Sequence, residues 1–171
     1  MPTALYTRLP VSSAADPAWP TTNLTVDVGG HPVQLAAVHT CYPAGGTRRW
    51  AEDLHGLRAA ATGRTRNTVM LGDFNATLDH RPMRDLVDTG LADTHEELGA
   101  GLFPTWPQDH PDYRVPAVIQ IDHVLHGPAL EGRAAFVEVE TFTSGPTVRL
   151  FAPLSVRRRS RIWSVPEMST P

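Results

Sequence analysis

The sequence predicts an α+β fold, a layered sheet with helices packed outside it. Three observations carry this expectation: strand-like segments outnumber helical ones, the connections mix tight hairpins with one helical crossover, and no internal repeat is present. With 171 residues, 41% of them hydrophobic and 7% aromatic, the chain is long enough for one domain with a substantial core. We expect that domain to occupy residues 1–155 and residues 156–171 to form a basic tail.

Each element follows from local chemistry. Residues 10–22 are rich in Pro, Ser, Ala and Thr and read as an exposed connection. Asn23 to Val28 alternates polar and apolar side chains, Gly29 and Gly30 supply a two-residue turn, and the run from Val33 to His39 completes a β-hairpin. After a loop over residues 42–46, Thr47 suits the cap of a helix spanning 48–62, with Trp50, Leu54, Leu57 and Ala61 on one face and Gly63 ending it.

Val69, Met70 and Leu71 read as a short buried strand, after which Gly72 permits a sharp change of direction. A second helix should begin at Pro82, carry Met83, Leu86 and Val87 as its apolar stripe and stop before Gly90. Residues 99–117, with four prolines, are loop-like, and strands are expected over 118–125, 134–142 and 147–154. The last segment clusters four Arg in five positions without periodicity, the pattern of a solvated tail.

Composition excludes little about function. A net charge of −3 gives no global attraction to nucleic acid, although a local patch would suffice. All fifteen basic residues are Arg, whose planar fork can hold phosphate through two hydrogen bonds. Cys41 is the only cysteine, so no internal disulfide forms, and it reads as a small structural thiol. The N-terminus shows no basic segment followed by an apolar run and no stretch approaches a membrane span, so a cytoplasmic location is expected for the chain as encoded.

The chemistry concentrates where the Val69–Leu71 strand ends. Asp73 and Asn75 leave it two residues apart, which in extended backbone aims both to one side and turns Phe74 into the core. Asp73 could accept a proton from water or hold a hard cation, and Asn75 could donate a hydrogen bond to an oxygen that gains charge. The same Asp-Phe-Asn also suits a turn stabilised by the aspartate side chain, and the residues alone leave both readings open. His39 ends the strand upstream, and the strand downstream carries Asp122, with His123 on its opposite face and therefore in the core or on the back surface. His80, His95, His110 and His126 are scattered, with no paired spacing that would make a zinc site.

The phrases Val38-His39-Thr40, Leu71-Gly-Asp-Phe-Asn-Ala76, Leu91-Ala-Asp93, Thr105-Trp106-Pro107 and Ile121-Asp-His-Val-Leu125 resemble, in order and spacing, the C-terminal half of the endonuclease/exonuclease/phosphatase superfamily. The resemblance covers about residues 24–155 and is most specific at Gly-Asp-Phe-Asn. It implies a four-layer α/β/β/α sandwich lacking its N-terminal strands, with residues 4–10 similar to a strand from the middle of the domain. It further implies a metal-dependent phosphoester hydrolase in which His39, Asp73, Asn75 and Asp122 are catalytic and Asp73 and Asp122 hold Mg2+ or Mn2+. Thr105, Trp106 and Arg48 would line a site for nucleic acid, a phospholipid headgroup or a sugar phosphate.

Departures from the family pattern are also visible. The metal-binding Glu of the family's early strands has no counterpart, because no acidic residue precedes Asp16. The closing Asp-His loop aligns with Thr147 and Val148, which supply neither the carboxylate nor the imidazole. The expectation is therefore a hydrolase with weak metal binding and an incomplete catalytic set, the alternative being a non-catalytic remnant that binds a phosphorylated ligand or a partner chain.

Overall fold

The structure, a computed structural model, describes residues 5, 7–15, 20–101, 103–107 and 115–133 in full, and three further strands by their backbone. Its centre is an open six-stranded sheet. The strands are β1 (Val11–Ala14), β2 (Thr21–Val28), β3 (His31–His39), β4 (Thr68–Asp73), β5 (Ala92–Asp93) and β6 (Asp122–His126), in the order β1-β2-β3-β4-β6-β5. Every pairing is antiparallel except β3 with β4, which run parallel because helix α1 (Thr47–Ala61) crosses between them. Two short helices follow, α2 (Arg81–Val87) and α3 (Thr94–Glu97). Strands β7 (Leu130–Gly132) and β10 (Leu154–Val156) pair with each other, as do β8 (Phe136–Phe142) and β9 (Gly145–Phe151).

Apolar side chains cover both faces of the central sheet. On one face Ala36, Val38, Met70, Phe74 and Leu125 meet Trp50, Leu54, Leu57 and Ala61 of α1 and Met83 and Leu86 of α2. The other face gathers Val26, Val33, Val69 and Val124 with Leu130, flanked by Leu24, Leu35 and Leu71. Burial on both sides explains why the core of β4 is a continuous Val-Met-Leu run instead of an alternating one. Each fully buried Leu or Phe contributes roughly 1.5–3 kcal/mol.

The α+β class and the sequence of hairpin, crossover helix and buried strand are as the residues predict. Of the four layers that the resemblance implies, the described residues contain a helix layer and the open sheet, together with the two smaller strand pairs. Several expectations are corrected. Residues 11–14 form an edge strand on β2, not a connection, and residues 5 and 7–10 carry no strand. Thr47 does not cap α1: Gly46 is the cap residue, and the Thr47 hydroxyl donates to the Pro43 carbonyl over 3.3 Å. The second helix starts one residue before Pro82. Thr147 and Val148 lie within β9, opposite Glu140 and Val139, and not in a loop. Residues 157–171, where the basic tail is expected, lie outside the described residues, as does His110.

Gly72 has a local reason that the turn argument alone does not supply. At φ 137° it occupies a conformation that L side chains rarely adopt, and a Cβ there would come within 2.1 Å of the Val38 carbonyl oxygen. The close approach of β3 and β4 at their C-terminal ends, where His39 and Asp73 emerge, thus requires glycine.

Candidate active site

Register brings three titratable groups into one row. His39 is the partner of Asp73 across the parallel β3–β4 ladder, and Asp73 is the partner of Asp122 across the antiparallel β4–β6 ladder. Directly opposed residues present their side chains to the same face, here the face carrying Val33, Leu35, Val69, Leu71 and Val124, away from α1 and α2. The row therefore closes the end of an apolar sheet surface.

The turn after β4 is tied from three sides. The Asn75 backbone N–H donates to Asp73 Oδ1 over 2.7 Å, the turn form that the residues left open, and the Phe74 N–H donates to the Ile121 carbonyl over 3.0 Å. From β3, the Thr40 hydroxyl donates to the Phe74 carbonyl over 2.6 Å, and the Asn75 amide Nδ2 donates to the Thr40 carbonyl over 3.0 Å. Asn75 has φ 48°, so a left-handed turn, and not strand alternation, sets its direction. One Nδ2 hydrogen is engaged by Thr40, and the amide retains a second.

The electrostatics follow from burial. Asp73 is pushed up to about 6, chiefly by desolvation, with the Asn75 N–H and the nearby His123 opposing the rise. Asp122 is likewise raised to about 6, by desolvation first and then by the Asp73 carboxylate facing it, against a hydrogen bond from Thr105. Two partly desolvated acids set opposite each other cannot both ionise cheaply, so they titrate as a pair. Burial lowers the pKa of His39, and the Asp122 carboxylate partly offsets that.

The remaining residues expected at the site are placed less directly. Thr105 is buried, and its hydroxyl accepts from the Ile121 and Asp122 backbone N–H groups over 3.1 and 3.2 Å, so it holds β6 in place beside Asp122. Trp106 is bridged to Ile119, and both remain partly exposed beside that anchor. Arg48 projects from the outer side of α1, paired with Glu52 over 2.8 Å, and its side chain is 92% exposed. It belongs to the helix layer and is not drawn towards the acids.

Behind the row lies a cluster to which the residues alone assigned no role. His123, one residue after Asp122, points to the helix face and is fully buried, with Nδ1 2.8 Å from Asp93 Oδ2 and Nε2 2.8 Å from the Ala76 carbonyl. Asp93 also caps α3, accepting from the His95 and Glu96 N–H groups. The Asp-Thr-His-Glu phrase carries the capping pattern of an acid three residues after the cap, a legible signal, but the contact with His123 crosses 30 positions. Among the described residues, no three His, Cys, Asp or Glu side chains come together as a ready metal site, and no helix is long and apolar enough to cross a membrane.

Comparison with known proteins places the chain. A sequence model of the Endonuclease/Exonuclease/phosphatase family matches residues 2–142. Among solved structures, D. rerio TDP2 in complex with a single-strand DNA product shares 16% identity, covers 81% of this chain and 63% of its own, and superposes with a TM-score of 0.60. An endonuclease/exonuclease/phosphatase from Beutenbergia cavernae shares 25% identity over 80% of this chain and 39% of its own, with a TM-score of 0.57. A mannosyl-6-phosphatase from Bacteroides thetaiotaomicron shares 16% over 82% and 59%, with a TM-score of 0.50. The chain spans less than two thirds of the length of each. No curated protein matches it significantly by sequence. Matched over most of its length by the family's own pattern, the chain belongs to the endonuclease/exonuclease/phosphatase family.

Proposed function

We propose that the row of His39, Asp73 and Asp122, with Asn75 beside it, is the centre of a divalent-cation-dependent phosphoester hydrolase. The observation that carries this is the register that sets two acids opposite each other across β4 and β6, Asp122 buried and Asp73 half-buried, each raised to about 6 and neither neutralised by an arginine among the described residues. Structural ion pairs lower the pKa of their acids; a pair left high is suited to share a proton or a cation.

The donor set fits magnesium or manganese. Such ions prefer oxygen and take one or two protein carboxylates, with water and substrate phosphate completing the shell. Asp73 and Asp122 would hold the ion, which when bound would neutralise phosphate charge and make the phosphorus more electrophilic. With two carboxylates as the protein's share of the shell, weak binding is expected. Asp73, with a pKa near neutrality, is suited to take the proton of an attacking water. The free hydrogen on Asn75 Nδ2 and the His39 imidazole are suited to donate to phosphate oxygens that gain charge.

For substrate, a phosphodiester or phosphomonoester carrying a ring agrees best with the partly exposed Trp106 and Ile119 beside β6, which offer an apolar surface to a base or sugar. The single-strand DNA product bound by D. rerio TDP2 and the mannosyl-6-phosphatase activity of the Bacteroides relative support both alternatives.

The test is hydrolysis of a chromogenic phosphodiester with magnesium or manganese. Turnover should be slow, rise as pH is raised through about 6 while Asp73 loses its proton, and fall by roughly 100-fold or more in Asp73→Asn. Activity that survives this substitution would place the centre elsewhere.

A further inference from the structure

On the back of the sheet, each nitrogen of His123 faces an acceptor. The Ala76 carbonyl can only accept, so Nε2 donates to it, and Nδ1 is hydrogen-bonded to Asp93 Oδ2. Asp93 gathers three partners in all, the His123 ring and the His95 and Glu96 N–H groups, and its pKa is lowered even though burial pushes it the other way. His123 is itself wedged edge-on against Phe74, with ring centroids 5.8 Å apart. One imidazole therefore joins three segments: the strand that carries Asp122, the turn that carries Asn75, and the β5–α3 corner.

The bond to Ala76 is what reaches the front face. Thr40 and Ile121 hold the turn at Phe74 and at the Asn75 side chain, and His123 holds it from the far side, at the residue immediately after Asn75. Asn75 sits in a left-handed conformation, which the bonds around it hold in place.

We propose that His123, oriented by Asp93, is a positioning residue for the Asn75 turn, and that its Nε2 bond to the Ala76 carbonyl, more than its bond to Asp93, is what the reaction requires. This rests on the hydrolase reading above, since it names what holds one of that site's donors in place. His123 touches neither substrate nor metal.

Two substitutions separate the bonds. His123→Gln places an amide donor near the Nε2 position and retains the tie to Ala76; His123→Asn places one near Nδ1 and retains the tie to Asp93. Turnover of the phosphodiester should drop about 10- to 100-fold in His123→Asn, mainly in kcat, and stay within about threefold of wild type in His123→Gln. Equal losses in the two, or a larger loss in His123→Gln, overturn the proposal. Hydrogen exchange at the Asn75 backbone N–H gives a readout that does not depend on activity: it should quicken in His123→Asn only. If wild type hydrolyses nothing, the hydrolase reading fails while this exchange comparison still decides the positioning role. Should either variant fail to fold, NMR of labelled wild type decides instead. A slowly exchanging His123 Nε2 proton coupled to the Ala76 carbonyl supports the tie, and rapid exchange with water refutes it.

Discussion

Asp122 and His123 are consecutive residues of one strand, yet they face two surroundings that treat a buried carboxylate in opposite ways. On the front, Asp122 looks across at Asp73, and both acids are pushed up to about 6. On the back, Asp93 is as deeply buried, but His123 and two backbone N–H groups point at it and its pKa falls. Burial alone does not decide the charge of an acid; the donors aimed at it do. Asp93 on the back is hydrogen-bonded from several sides, and the front is left short of positive charge, the condition under which a site takes up a proton or a cation.

The contrast can be broken most forcefully on the back. Asp93→Ala removes the cap of α3 and strands a buried imidazole, so urea denaturation should show a loss of about 3–5 kcal/mol, the range for breaking a buried pair. A loss below about 1 kcal/mol would mean that the back is no better satisfied than the front.

pH sharpens the comparison, because the two faces carry opposite signs. Asp73 and Asp122 start near 3.8 unfolded and rise to about 6 when folded, so the folded state binds more protons between those values and stability falls as pH climbs through that window. Asp93 is lowered, so its contribution is present above about 3.8 and is lost as pH falls towards its folded value. Magnesium should therefore raise the melting temperature more at pH 7, where the front pair is ionised, than at pH 5, where it retains protons. Equal shifts at both pH values would remove the front acids from the ion's binding site.

The smallest effect belongs to a residue in neither region. Arg48 is exposed and paired only with Glu52 in its own helix, so Arg48→Ala should leave phosphodiester turnover within about twofold of wild type, measured at subsaturating substrate. A tenfold drop would restore it to the substrate surface.

Much of this was open to reading because the signals are local. Polar–apolar alternation around Gly29-Gly30 gives the hairpin, the i, i+4, i+7 spacing of Trp50, Leu54 and Leu57 gives α1, and three apolar residues before Gly72 give β4. The opposite faces of Asp122 and His123 follow from strand geometry alone. Edge strand β1 is not legible in the sequence because its Ser-Ser-Ala composition is that of a loop, and only the partner β2 makes it a strand. For Thr105, nothing near it in sequence reveals that two N–H groups of β6 donate to its hydroxyl.

The sequence by itself determined the β2–β3 hairpin, α1, α2 and the buried part of β4, the glycine at the β4 bend and the identities of the acids, amide and imidazole, since these depend on neighbours within a few residues. Only the tertiary structure decided which acids face each other, which one gains donors, and that His123 reaches the turn beside Asn75. Those outcomes join residues 30 to 49 positions apart, such as Asp93 with His123, Ala76 with His123 and Asp73 with Asp122. Hydrogen bonding and desolvation act through space, so the charge on each carboxylate is a property of the fold and not of its place along the chain.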